Sequence, residues 1–165
     1  VNNKNDLTQE YVASILTYSP DTGIFTRCAS YHKRHIGKIA GCLNNSGYWY
    51  IRIGSARYLA HRLAWLLVYG EMPPGLIDHI NGDKLDNRIS NLRLADANQN
   101  AYNRRMRNDN TSGIKGISAA PQGLRARISV AGKSIHIGYF KTPEDAERAI
   151  RKARESMHRE FSRHT

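Results

Sequence analysis

The stretch LIDHINGDKLDNRISNLRLADANQN, residues 76–100, decides how this chain reads. It holds the adjacent pair Asp78-His79, a glycine at Gly82, and five Asn after the His. Asn is a poor former of helices and strands and favours turns and caps, because its short amide competes for neighbouring backbone groups. Such a segment is either a solvated loop or a set of polar side chains held for chemistry. Its flanks set the geometry. "LIDHI" reads as a short strand, "NGDKLDNRISN" as a loop dense in turn formers, and "LRLA" as a second short strand. "DANQNAYNRRMR" reads as a helix with Asp96 as N-cap and a basic end that suits the helix dipole.

Strand, loop, strand and helix in this order can gather Asp78 and His79 from the first strand end, Asn91 from the loop end, and Asn98 and Asn100 from the first helical turns. The set supplies an imidazole base and hard oxygen ligands, which suit Mg²⁺ or Mn²⁺ better than zinc. Phosphodiester hydrolysis needs a base to activate water and a cation to stabilise developing charge. The bland alternative is a turn in which Asp78 caps a backbone N–H and His79 is packed.

Upstream, "LTQEYVASILTYS" has helical spacing, with Thr8 as N-cap. "GIFTR", "KIAG" and "YWYIRIG" are short strand-like pieces broken by Gly and Asn. "RYLAHRLAWLLVYGEMPPG" is a strand entering a helix that Gly70 and Pro73-Pro74 stop. Cys28 and Cys42, the two cysteines of the chain, form no C-x-x-C pair. Neither a disulfide framework nor a Cys-rich zinc site is expected, and each Cys is expected to be buried and inert. No apolar run approaches the about 18 residues that cross a bilayer. "VNNKNDLTQE" lacks the apolar centre of a signal peptide, so an intracellular protein with no membrane partner is expected.

Downstream, "NDNTSG", residues 108–113, reads as a linker. "IKGIS", "LRARISVAG" and "KSIHIGYF" follow as strand-like runs, with a hairpin at Ala131-Gly132. "TPEDAERAIRKARESMHREF" is a helix capped by Thr142, with Ala146, Ala149, Ile150, Ala153 and Met157 as its apolar stripe. Strand alternation puts Ala126, Ile128 and Val130 on one face and Arg125, Arg127 and Ser129 on the other. The second face is a binding surface or a plain solvated face. Across 165 residues, 25 Lys+Arg against 14 Asp+Glu give a net charge of +11. The charge is uneven: residues 1–100 hold 11 Lys/Arg and 8 Asp/Glu, and residues 101–165 hold 14 and 6. Concentrated positive charge favours a polyanionic partner, and nucleic acid fits it best.

"AHRLAW", "LIDHINGDKLDNRISNLRL" and "NQN" resemble the HNH endonucleases of the phage and intron-homing branch. His79 matches the first His of the family's name, Asn91 the central Asn 12 residues on, and Asn100 the last position 21 residues on. The resemblance implies His79 as general base and Asn91 as a brace that orients it. It implies Asp78 and Asn100 as ligands of one divalent cation, with Asn98 as the fallback if the helix register differs. His61 resembles a recurrent family position, with a role in packing or in phosphate binding. Arg93 meets a phosphate or forms a rim salt bridge. The cysteine pairs of zinc-bearing subfamilies are missing, so no structural zinc is expected.

Residues 111–161 resemble the Apetala-type domain of plant ethylene-response factors, through "TSGIKGIS", "LRARISVAGKSIHIG" and "GYFKTPEDAERA". That resemblance implies a three-stranded sheet in the DNA major groove, with Lys115, Arg125, Arg127 and His136 facing it. Leu124 stands where that family has Trp, a departure in the base-reading surface. Arg104, Arg105 and Arg107 are placed to run along DNA phosphates between the two modules.

The expected fold is α+β: a hairpin-plus-helix metal-site core with a small N-terminal β region, then a three-stranded sheet backed by one helix. The expected domains are residues 1–107 and 114–165, joined by the linker 108–113. The expected function is a homing-type endonuclease that uses one Mg²⁺ or Mn²⁺ on double-stranded DNA, in a phage-infected host cytoplasm. The alternatives are a DNA-binding regulator that keeps a silent HNH scaffold, and RNA as substrate.

Overall fold

The computed structural model of the chain describes residues 7–29, 33–103, 106 and 110–158. The chain folds as a mixture of helices and small sheets in two compact units, residues 1–94 and 95–165.

In the first unit, α1 (Gln9–Ile15) starts where Thr8 Oγ1 accepts the Tyr11 N–H at 3.2 Å. The helical run predicted from residue 7 to residue 19 stops early. Leu16–Tyr18 form β1, paired antiparallel with β2 (Phe25–Arg27). A helix this short is marginal by itself, so pairing with β2 and full burial of Leu16 and Phe25 override the local pattern. The β1–β2 turn also touches the loop that precedes Asn91. Tyr18 Oη–H donates to Asn87 O at 2.8 Å, and Ile89 N–H donates to Pro20 O at 3.3 Å. Gly23, at φ 73°, lies so close that an added Cβ would sit 2.6 Å from Arg88 N.

β3 (Cys42–Leu43), β4 (Trp49–Ile53) and β5 (Ala56–Leu59) form an antiparallel sheet in that order. β5 runs directly into α2 (Ala60–Tyr69), which Gly70 ends in the left-handed conformation at φ 83°, as its sequence predicts. α2 buries Ala60, Leu63, Ala64 and Leu66 in one core with Val12, Ile51 and Ile53. β6 (Leu76–His79) and β7 (Leu92–Ala95) pair as a two-stranded sheet, and Ile77 and Leu92 join the same core. Both cysteines are exposed and free, contrary to expectation. Cys42 lies on the short edge strand β3, where both residues face solvent.

In the second unit, Asp96 and Gln99 close a reciprocal capping box on α3 (Ala97–Tyr102). This helix ends sooner than the predicted run to residue 107, with Asn103 at its C-cap. Arg104, Arg105 and Arg107 lie outside the described residues. β8 (Ile117–Ala120), β9 (Gly123–Val130) and β10 (Lys133–Phe140) form a three-stranded antiparallel sheet, order β10-β9-β8. Ala131 and Gly132 turn the β9–β10 hairpin at φ 50° and 77°, the two positive values that its right-handed twist favours. The first strand begins later than predicted, because Ser112 Oγ bonds Ile114 O and Ile117 O and holds residues 112–116 in a turn.

α4 (Pro143–His158) backs the sheet, packing Ala146 and Ile150 on Ile117 and Ala126. Its buried row differs from the predicted stripe. Met157 is exposed, and Arg154 and His158 are buried instead. Steps of four from Ala146 run through Ile150 to Arg154 and His158, and that straight row faces the sheet. Among the described residues, no helix is long and apolar enough to cross a membrane.

Gly23→Ala is expected to destabilise the chain by about 1–3 kcal/mol, from strain at positive φ and the clash with the segment at residues 87–88. Urea unfolding measures it, and an unchanged midpoint would contradict this clamp.

Candidate active site

His79 ends β6, and residues 80–91 return the chain to β7. The loop is stapled by its own side chains. Asn91 Nδ2 donates to Asn81 Oδ1 at 3.0 Å and to Asp86 O at 2.8 Å, and Asn91 Oδ1 accepts the Asn81 N–H at 3.0 Å. Asn91 O accepts the Ile80 N–H at 2.9 Å. Asn81 Nδ2 donates to Asp86 Oδ2 at 2.8 Å, and Asp86 is held in turn by Arg88 at 2.6 Å. Hydrogen bonds and charge from Arg88 are the first cause that lowers the Asp86 carboxyl to about 2. Three of the five Asn of the opening stretch are therefore braces: Asn81, Asn87 and Asn91.

Asn87 is the residue that the sequence reading missed. Its Nδ2 donates to Leu85 O at 3.1 Å, which turns Oδ1 toward His79 Nε2 at 3.4 Å. An acceptor at Nε2 places the proton of a neutral imidazole there and the lone pair on Nδ1. The usable signal was the Asp-Asn-Arg triplet at 86–88, which packs two turn formers into one loop.

His61 comes from the first turn of α2 and meets His79 edge to face, ring centroids 5.0 Å apart at 89°. Tyr48 packs on both rings, at 5.5 Å from His61 and 6.1 Å from His79. Lys84 Nζ lies 4.6 Å from the Tyr48 centroid and donates to Ser46 O at 2.9 Å. Burial pushes the His61 imidazole down to about 3, with the neighbouring His79 adding to the shift. Burial also lowers His79, against the opposing pull of Asn87 and Asp78. Both rings are neutral at pH 7, the state a proton acceptor needs.

Asp78 precedes His79 and is buried, its Oδ2 held by Arg93 Nε at 2.9 Å and Nη2 at 2.8 Å. This pair is not at a rim, since the Arg93 side chain is 15% exposed and that of Asp78 5%. Among the described residues, no group of three or more His, Cys, Asp and Glu is placed to hold a metal ion. One carboxylate and amide oxygens still fit a Mg²⁺-type ion, which keeps several waters and takes further oxygens from a substrate phosphate. A cation held by Asp78 would compete with Arg93 for that carboxylate.

The remaining sequence candidates lie in the second unit. On α3, Asn98, Ala101 and Tyr102 line one cavity. Asn100 is two residues from Asn98, about 200° around the helix, so it faces another way. Lys115 is in the turn before β8 rather than in the sheet, with Nζ donating to Tyr102 O at 2.9 Å. Arg127 pairs with His136 and Arg125 with Tyr139 across β9 and β10, and Ser118 flanks Arg125 on β8. His136 and Tyr139 rings lie 4.8 Å apart.

A family model described as HNH endonuclease matches residues 58–102. The match contains His61, Asp78, His79, Asn91, Arg93, Asn98 and Asn100, and it stops before the three-stranded sheet. The chain is 32% identical over 108 residues to Protein 3.8 of Escherichia phage T7, covering 62% of this chain and 87% of that protein. It is 30% identical over 129 residues to the uncharacterized HNH endonuclease L560 of Acanthamoeba polyphaga mimivirus, covering 77% of this chain and 67% of that one. No solved structure matches the chain.

Two buried neutral imidazoles couple stability to pH. Below about pH 6.5 the unfolded chain binds protons that the folded chain refuses. Stability is therefore full above that value and falls with pH, for His61 until its folded value of about 3. Each group adds a slope of up to about 1.4 kcal/mol per pH unit. Urea unfolding from pH 7 to pH 4 is expected to show a steep fall that His61→Leu flattens. An identical pH dependence in that variant would contradict the burial of neutral His61.

Proposed function

The chain belongs to the HNH endonuclease family, and on that premise we propose that it is a homing-type endonuclease that hydrolyses phosphodiester bonds of double-stranded DNA with one divalent cation. The observation that carries this reading is a neutral His79 beside Asp78, held by a loop that Asn91 staples. In this mechanism His79 Nδ1 takes the proton of the attacking water, and Nε2–H stays on Asn87 Oδ1. Asn91 keeps the imidazole at its angle by fixing the loop that follows it. Asp78 and Asn100 would hold Mg²⁺ or Mn²⁺, whose positive charge supplies stabilisation of the scissile phosphate. Asn98 is the fallback ligand in this reading. His61 supports His79 by packing edge to face against its ring.

The second unit is proposed as the DNA reader, an Apetala-type module. Arg125, Arg127 and His136 share one face of its sheet, and Arg forks onto guanine or phosphate. Residues 1–107 then carry the chemistry and residues 114–165 the affinity, joined by 108–113, with Arg104, Arg105 and Arg107 and Lys115 adding phosphate contacts. A DNA-binding regulator with a silent scaffold is the second reading. The ion pair that Arg93 makes on Asp78 Oδ2 favours it, because that pair competes with a cation. Incubating supercoiled plasmid with the protein and Mg²⁺ or Mn²⁺, with and without chelator, separates the two. Nicked or linear product that chelator abolishes supports the nuclease; binding without product supports the regulator.

His79→Ala is expected to lower cleavage by at least about 100-fold while DNA affinity changes little. Near-normal turnover in a gel assay would remove His79 as base.

Asp78→Ala and Asn100→Ala are expected to raise the Mn²⁺ concentration needed for half-maximal cleavage, more than Asn98→Ala does. A Mn²⁺ titration decides, and a larger effect of Asn98→Ala would exchange the two Asn roles.

A further inference from the structure

The second unit holds an open cavity of about 740 Å³ between α3, the turn before β8, one edge of β9 and the last turn of α4. That volume falls in the range of small-ligand sites. Lys115, Arg127 and Arg154 line it with His158, and none of the described residues that line it is Asp or Glu. Among the described residues the charged groups of the lining are all positive, a wall that favours an anion.

Arg154 is the decisive group. It is 4% exposed and donates to Lys115 O, and among the described residues no carboxylate pairs with it. Burial pushes its guanidinium below the usual arginine range, with Arg151 adding to that shift. A buried guanidinium without a counter-charge is costly, and a bound anion removes the cost. His158, 8% exposed, stands beside it. Its Nε2–H donates to Ser129 O at 2.8 Å, and its ring stacks on Tyr102 at 3.9 Å and 3°. Tyr102 Oη in turn accepts the Ala131 N–H at 2.7 Å. Both rings are thus fixed, and buried His158 Nδ1 has no hydrogen-bond partner. The charges that act on His158 come from Arg154 and Lys115, both positive. Gly116 lets the wall close on this cluster, since a Cβ there would meet Ile150 Cδ1 at 2.5 Å and Arg154 Nη2 at 3.3 Å.

We propose that this cavity binds the phosphate of a nucleotide, free or within a DNA strand, through Arg154 and Lys115, with His158 Nδ1 receiving a hydroxyl or N–H of the same nucleotide. A phosphate presents the acceptor oxygens that a guanidinium fork matches, and a nucleotide also carries the donor that an unpartnered imidazole nitrogen needs. The site lies wholly in residues 95–165, so it stands whether or not His79 is a catalytic base.

The test uses the full chain without divalent metal, so that no cleavage intervenes. Calorimetry with thymidine 5′-monophosphate and with thymidine measures the nucleotide, and anisotropy of a labelled duplex measures DNA. Two variants are compared: Arg154→Met, which removes the charge at similar volume, and Ser134→Trp, which fills the mouth from an exposed position. The monophosphate is expected to bind where thymidine does not, and each variant to weaken it by about tenfold, the effect of losing one charged hydrogen bond. A parallel loss of duplex affinity assigns the phosphate to DNA; loss of monophosphate binding with unchanged duplex affinity assigns it to a free nucleotide. Unchanged affinity for both ligands in both variants overturns the proposal. If Arg154→Met fails to fold, Ser134→Trp decides alone, because an unchanged affinity with the mouth filled overturns the site equally.

Discussion

The side-chain amide of Asn91 is the joint on which the first unit's site depends. With both of its polar atoms engaged it closes residues 80–91 into a rigid loop, joining Asn81 at the start to Asp86 in the middle. A buried amide with satisfied partners is a stable joint, whereas a half-satisfied one is a liability. The β1–β2 hairpin fixes the same loop from the other side through Tyr18, Pro20 and Gly23. Asn87 sits between these two clamps, with its Oδ1 3.4 Å from His79 Nε2. Fold and chemistry meet in that one short segment.

Burial gives the site its second constraint. His61, His79 and Tyr48 form a packed cluster, and desolvation keeps both imidazoles neutral. The arrangement lowers acid stability and leaves His79 in the neutral form that the proposed base needs. Asp78 is under the opposite constraint. Its charge is matched by Arg93, so the carboxylate stays buried at a strand end where an isolated charge would be expelled. The second unit presents a third case, in which buried Arg154 has no such carboxylate among the described residues.

Much of this was legible in the sequence, and what was not shares a cause. β6 and β7 were readable because turn formers bracket both, and α2 because Gly70 stops it. The boundary at Ile15-Leu16 was not, because Leu7, Tyr11, Ile15 and Leu16 share one helical face across it and only pairing with β2 ends the helix. The alternation on β9 held, since a half-buried sheet enforces a period of two. The α4 stripe failed at Met157, because apolar residues at two offsets competed and the row ending in Arg154 and His158 faced the sheet. In the site, Asp78, His79 and Asn91 stood out as residue types. The partner roles of Asn87 and Arg93 depend on contacts across the loop and between paired strands, which spacing alone does not encode.

The central claim is that Asn91 acts through His79. A double-mutant cycle on plasmid cleavage with His79→Ala, Asn91→Ala and the pair tests it most directly. The account predicts that each single change is severe and that the double variant cleaves no more slowly than His79→Ala. Losses that multiply in the double variant would show that Asn91 contributes independently of His79, and would contradict the account.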